Sequence, residues 1–325
     1  MVTARPGSDV EADPIGAGML ALAVDLGGTK VEGALVDAGG ALVPGSRARR
    51  ATGPDITRDG LAEAITQVVS EALANAGEIV GVGIGSAGPI DVPGGTVRPL
   101  NLPRAQDLPI VEIVSRAASA ALGRTVPITL ALDGLCITLA EHWLGAARHV
   151  GSALGMVVST GVGGGIVSRG VPVRGGTGNA GHIGQLEVAG FAPDDVHGLE
   201  ATVERIASGP NIVRWAREQG WAGSTGEDLA ASYAAGDPVA RSAVRRSAFA
   251  VGAAIASATA LLDIDIVVIG GGFARVSPDY LELVREGRDR FAAYPFMARA
   301  DIVPAALGAD SPLIGAAALV LRADA

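Results

Sequence analysis

Apolar residues in this chain fall into short continuous runs that stop at glycines, alternating with longer stretches at helical spacing. Met19 to Val24 is one such run, closed by Asp25 and the Gly27-Gly28 pair, and it predicts a buried strand. Val31 to Val36 predicts a second strand, after which "DAGG" turns the chain. From Thr57 to Ala76 the apolar positions Leu61, Ile65, Val68, Val69 and Leu73 lie on one helical face. Ile79 to Asp91 predicts a further strand running into a Gly/Pro loop, so the opening third reads as an α/β unit.

The pattern then restarts. Ile128 to Leu132 predicts a buried strand feeding the helix "GLCITLAEHWLGAA", and "SALGMVVSTGVGGGIVSRGVPV" predicts two strands around a glycine turn. An irregular stretch from Arg174 to about Gly198 precedes helical patterns over roughly 200–219 and 237–262, then the strand "DIDIVVIGGG". "AVDLGGTKVEGALV" and "MVVSTGVGGGIV" share one outline, strand, glycine turn, strand. That predicts a duplicated α/β unit with ligands at the strand ends facing a cleft. The expected division is a disordered leader over 1–17, an N-terminal α/β domain over 18–126 and a C-terminal α/β domain with helical insertions over 127–310. A helix over 311–325 is expected to return to the first domain.

Composition narrows this picture. Hydrophobic residues make up 49% and aromatics only 3%, so the core must be built from Ala, Val, Leu and Ile, while 47 glycines imply many close backbone approaches. Lys+Arg 25 against Asp+Glu 34 gives a net charge of −9 without a basic block, which argues against nucleic acid or an anionic membrane as partner. A small anion can still be held by backbone N–H groups and helix ends. The single cysteine, Cys136, sits in an apolar run; it rules out an internal disulfide or a Cys-cluster zinc site and reads as a core thiol. No apolar run approaches the roughly 20 residues of a spanning helix, and the first seventeen residues lack the apolar segment of a signal peptide. A cytoplasmic protein is expected.

Three motifs carry candidate chemistry. In "DLGGTK", Gly27 and Gly28 let a turn approach phosphate, Thr29 offers a hydroxyl, Lys30 a cation, and Asp25 a carboxylate for hydrated Mg²⁺. An ordinary hairpin turn explains the same residues, and the spacing is not that of a Walker loop. "STGVGGG" offers Thr160 and Gly161 as a second set of phosphate donors, and Gly270, Gly271 and Gly272 end a buried strand on a flat surface suited to adenine or ribose. Together they point to a nucleotide cleft.

The ordered series "DLGGTK", "GIGSAGPID", "LNLP", "LAEHWLGAA", "STGVGGGIV", "GHIGQLEV", "GLE" and "VIGGG", from about Ala21 to Leu319, resembles the ROK family of the actin-like, hexokinase-type ATPase superfamily. The resemblance implies two actin-like (ribonuclease H-like) α/β domains flanking a nucleotide cleft. It also implies ATP with Mg²⁺, and γ-phosphoryl transfer to a sugar hydroxyl. It places the catalytic base at Asp133, where an N-cap role is the plain alternative, and acceptor contacts at Gly88, Asn101, His182, Gln185 and Glu200.

The chain departs from the family where sugar is gripped. Leu132-Asp133-Gly134-Leu135 replaces Asn-Asp-Ala-Asn, and Gly181-His182-Ile183-Gly184-Gln185 replaces Gly-Glu-X-Gly-His; the cysteine-rich zinc segment is missing as well. The resemblance therefore implies a zinc-less kinase re-aimed at a modified sugar. By analogy with secondary-metabolism kinases, this is an amino sugar such as kanosamine, or a C7-cyclitol. An ordinary glucokinase and a silent ligand sensor are the alternatives. A repressor of the same family would need a DNA-binding domain of about 60–80 residues before the first motif, and about 24 residues precede Asp25. Many family members are dimers, so a homodimer is expected.

Overall fold

The structure is a computed structural model describing residues 18–192 and 197–323; the leader expected over 1–17 lies outside the described residues. The first half contains β1 (Leu20–Leu26), β2 (Lys30–Asp37), β3 (Ala48–Ala51), α1 (Arg58–Leu73), β4 (Ile79–Ser86), the short strands β5 (Ile90–Asp91) and β6 (Thr96–Val97), α2 (Ile110–Leu122), β7 (Ile128–Leu132) and α3 (Asp133–Trp143). The second contains β8 (Ala153–Val158), β9 (Val162–Ser168), β10 (Val171–Pro172), α4 (Val203–Ala207), α5 (Gly209–Glu218), α6 (Gly226–Ala234), α7 (Pro238–Leu262), β11 (Ile266–Gly270), α8 (Tyr280–Phe291), β12 (Asp301–Pro304) and α9 (Ser311–Leu321).

The two main sheets have one topology. The first runs β3-β2-β1-β4-β7 and the second β10-β9-β8-β11-β12. In each, the leading strand pairs antiparallel with the next and parallel with a later one: β1 with β2 and β4, β8 with β9 and β11. The duplication is therefore real at the level of strand order, and the β1–β2 and β8–β9 turns occupy equivalent places. Such crossover sheets present ligand sites at the carboxyl ends of their parallel strands.

The expected boundary at 126/127 is corrected by this pairing. β7 is hydrogen-bonded parallel to β4, Val82 opposite Ile128 through Ser86 opposite Leu132, so it is the edge of the first sheet. The link between halves is α3, which contacts β4 and β7 of the first sheet and β8 and β9 of the second. Small residues permit this wedge. A Cβ on Gly134 would fall onto the backbone of Gly164, and one on Gly315 of α9 onto the carbonyl of Cys136 in α3. α9 packs with the first core, where Leu313, Ala316, Ala317, Leu319 and Leu321 are buried with the residues of β1 and β4.

Local chemistry sets the helix limits. Thr57 caps α1 through the Gly60 N–H, and Gly123 ends α2 in the left-handed region (φ 68°). Asp237 caps α7 ahead of Pro238. The single helix expected over 200–219 is instead a turn (Gly198–Ala201), then α4, then α5. Ser208 is extended (φ −68°, ψ 150°), and the Gly209 N–H leaves the helix to bond Ser159 O at 2.8 Å. Past the other end of α3, the buried Glu141 carboxylate accepts the N–H groups of Ala146 (2.9 Å), Ala306 (2.9 Å) and Leu307 (3.0 Å), fastening α3 to the segment leading into α9.

Among the described residues no helix is long and apolar enough to cross a membrane.

Candidate active site

Asp133 stands where β7 becomes α3, at the floor of a cleft of about 430 Å³. It is the first residue of the helix, not its N-cap, which is Leu132. Its Oδ1 accepts the Gly134 N–H at 2.7 Å, and the positive end of α3 favours an anion there. Burial nevertheless dominates and pushes its pKa up to about 6. Asp25, at the end of β1, is raised to about 7, first by burial and then by the charge of Asp133, with Lys30 opposing. Of these neighbouring carboxylates, Asp25 titrates close to neutral pH and Asp133 just below it.

Two glycine turns flank this pair. The N–H groups of Gly28 and Thr29 in one turn, and of Thr160 and Gly161 in the other, have no acceptor among the described residues. Thr160 and Gly161 line the cleft, whereas Asp25, Gly27, Gly28 and Thr29 do not; the first turn meets the lining through Asn101. Free N–H groups in glycine turns are suited to phosphate oxygens. The cleft continues past Ser159 and Thr160 into a second cavity of about 530 Å³, bounded by Gly209, Thr225, Gly272 and Phe273. Gly271 adopts φ +103°, and a Cβ there would strike the Val158 carbonyl, so the backbone after β11 must be glycine to lie this close to β8.

The structure brings Gly88, Asn101, Asp133, Thr160, Gly161, His182 and Gln185 into the lining of the one cleft. Asn101 also touches the first turn, since a Cβ on Gly28 would overlap its amide. Gly88 leaves no spare room: a Cβ would sit 2.7 Å from Leu132 Cδ2 and 3.0 Å from the His182 ring. His182 is half-buried, and desolvation lowers its pKa against the pull of Glu204, so the ring is neutral near pH 7. Gly270 closes β11 without lining either cavity, whereas Gly272 reaches the second one.

Three sequence expectations are displaced. Lys30 does not present a free cation. Its ammonium is bonded to the buried Glu32, which also draws Arg47 (3.4 Å) and Arg49 (3.5 Å). Glu200 lies outside the cleft, exposed and paired with Arg205 at 2.6 Å beside a separate cavity. Glu204 lines the cleft in its place, its Oε2 accepting the Val162 N–H at 2.8 Å and its Oε1 the Gln185 amide at 3.3 Å. Of the two leucines that flank Asp133, only Leu132 faces the cleft; Leu135 is buried against Gly165.

Asn211 is a further cleft residue that sequence reading passed over, held by the Glu204 carbonyl (3.0 Å) and Ser208 Oγ (2.7 Å). The signal for Glu204 was present in the sequence. Thr202 and Arg205 have N-cap spacing, and the Thr202 hydroxyl accepts the Arg205 N–H at 3.3 Å, which puts Glu204 on the first turn of a helix.

Comparison with known proteins gives one family. The ROK family model matches residues 21–323. The chain is 37% identical over 206 residues to the bifunctional enzyme NanE/NanK of Brucella melitensis, a match that takes in 63% of this chain and 37% of that protein; it therefore spans little more than a third of that relative's length. It is 32% identical to the N-acetylmannosamine kinase of Escherichia fergusonii, over 93% of this chain and 98% of the relative. A crystal structure of a ROK family glucokinase from Streptomyces griseus, in complex with glucose and AMPPNP, superposes with a TM-score of 0.73 at 28% identity. That match covers 93% of this chain and 99% of the other.

Proposed function

This chain belongs to the ROK family, and from that premise we propose that it is an ATP-dependent sugar kinase with Asp133 as its general base. The observation that carries the reading is Asp133 itself: a half-buried carboxylate, raised to about 6, on the floor of a cleft lined by the Ser159–Gly161 turn, with the Gly27–Thr29 turn adjoining through Asn101. A base poised just below neutral pH can take a hydroxyl proton while being mostly ionised beforehand. As the acceptor oxygen bonds to the γ-phosphorus, the bond from that phosphorus to the β–γ bridging oxygen breaks. The hydroxyl proton passes to Asp133, and ADP leaves. The turns at Gly27–Thr29 and Ser159–Gly161 hold phosphate oxygens, and the cavity beyond Thr160 takes the nucleoside. The raised, closely placed carboxylates of Asp25 and Asp133 fit Mg²⁺ near Asp25, where the ion would neutralise charge on the transferring phosphate.

For the acceptor we propose an N-acylamino hexose of the N-acetylmannosamine type. Full-length relatives carry that activity in their names, and the site offers it a suitable wall. Neutral His182 replaces a fixed anion, while Leu132, Leu100 and Val162 supply apolar surface for an acyl methyl. A second reading, a kanosamine or C7-cyclitol kinase, rests on Leu132, which puts hydrocarbon where the family resemblance expects an amide. A homodimer is the proposed assembly, to be checked by sedimentation.

The deciding experiment is ADP release by the purified protein with ATP and Mg²⁺ against N-acetylmannosamine, glucose, kanosamine and a C7-cyclitol. The highest kcat/KM is expected with N-acetylmannosamine. Acceptor-dependent ADP release from none of a broad panel would sink the kinase reading.

A further inference from the structure

The segment after β10 crosses from the second sheet and docks on the loop that leaves the first. Asn179 makes the central contact. Its Oδ1 accepts the Ile90 N–H at 2.9 Å and its Nδ2 donates to the Ile90 carbonyl at 2.6 Å, so one side chain satisfies both main-chain groups of a single residue in β5. Nδ2 also donates to Thr177 Oγ1 at 3.0 Å, and the Val92 N–H bonds the Thr177 carbonyl at 3.2 Å. Gly178 sits between these contacts at φ +93°, pressed against Ile90 and Val92 so closely that no Cβ could be accommodated. Around Asn179 the two halves of the chain are thus joined by paired hydrogen bonds resembling one rung of an antiparallel ladder.

His182 lies three residues on. Its Nε2 is 3.4 Å from Asn179 Oδ1, and its ring abuts Gly88, in the same first-half loop as Ile90. The donations to Ile90 and Thr177 fix which end of the amide is nitrogen, so Oδ1 faces His182 and can only accept. The imidazole must then carry its proton on Nε2. Nδ1 has no partner among the described residues and is left as an acceptor.

We infer that Asn179 is a positioning residue: it latches the acceptor-binding loop to the first domain and sets His182 as an Nε2-protonated ring whose Nδ1 accepts a hydrogen bond from the acceptor. The inference rests on the kinase reading for its ligand and deepens it. A ring that can only accept at Nδ1 selects an acceptor presenting an N–H or hydroxyl at that point, as an acylamino group does.

The test uses the full chain, with Asn179→Ala and Asn179→Asp compared to the parent. In the parent, ¹⁵N chemical shifts of His182 are expected to report protonation at Nε2, and amide exchange at Ile90 and Val92 is expected to be slow. Asn179→Ala should speed that exchange and remove the tautomer preference. It should also raise the KM for N-acetylmannosamine roughly tenfold, the scale of a lost hydrogen bond, with kcat and the KM for ATP within about twofold. Asn179→Asp keeps an oxygen for Ile90 N–H and His182 but loses both donations; its acceptor KM should fall between the other two. An Nδ1-protonated ring in the parent would overturn the inference. So would exchange and acceptor KM unmoved by Asn179→Ala. Should the parent phosphorylate no acceptor, the kinase reading fails, and the exchange and ¹⁵N data still decide the latch and the tautomer.

Discussion

Replacing Asp133 with Asn should cut turnover sharply and stabilise the fold at once. The carboxylate titrates at about 6 in the folded chain against an ordinary value of 3.8, chiefly because it is buried. Each pH unit separating those two values is worth about 1.4 kcal/mol, so the ionised side chain costs the native state about 3 kcal/mol at pH 8. The folded value lies above the unfolded one, so the native state binds the proton more tightly than the unfolded chain does. The cost is therefore complete above the folded value and disappears as pH falls from about 6 towards 3.8, leaving about 1 kcal/mol at pH 4.5. Asparagine removes the charge and keeps an oxygen for the Gly134 N–H that now bonds Oδ1 at 2.7 Å. Removing the charge also relieves Asp25, which Asp133 helps to raise.

Thermal unfolding of parent and variant at pH 8 and pH 4.5 measures this directly. At pH 8 the variant should melt about 5–10 °C higher, and the gap should narrow to a third or so at pH 4.5, as the linkage requires. In the same preparations kcat should fall by roughly a hundredfold to ten-thousandfold, the usual contribution of a general base. A variant no more stable than the parent at pH 8, or a gap that ignores pH, would refute the account of a charge held at the cost of stability.

Gly88→Ala places a Cβ 2.7 Å from Leu132 and 3.0 Å from His182. Steady-state kinetics should show the acceptor KM raised by roughly tenfold or more, with the KM for ATP unchanged. Glu204→Gln should lower kcat/KM for the acceptor by at least about tenfold, whereas Glu200→Gln, on an exposed pair with Arg205, should leave it within about twofold. Glu141→Ala removes the buried carboxylate that accepts the part-buried N–H groups of Ala146, Ala306 and Leu307. Urea unfolding should find it less stable by about 1–2 kcal/mol.

What the sequence made legible was whatever is written locally. Continuous apolar runs ending in glycine gave the strands that carry the turns, and the repeated strand–turn–strand outline anticipated two sheets of one topology. Asp133 was reached through the family resemblance, at the end of a strand that its apolar run made legible. The membership of β7 was not legible, because pairing with β4 depends on residues some forty-five positions upstream, such as Val82 opposite Ile128. No local pattern records which of several buried strands becomes the neighbour. The helices α2, α6 and α8 were likewise passed over, though each has an apolar face once its partner is in place.

The displaced site residues are more instructive, because simple periodicity already argued against them. Lys30 and Glu32 are two apart on one strand, so their side chains share a face and pair there. Leu135 is two positions from Asp133 on a helix, which turns it roughly 200° away; it could not have shared the cleft with Asp133. Glu200 and Glu204 are separated by the start of α4 at Thr202, and that cap swings one carboxylate into the second glycine turn while leaving the other in solvent. Matching a motif by order of letters ignores such turns. Assigning a face to each residue first, and matching only those that share the cleft, leads to Glu204, His182 and the Asn179 contact that holds it.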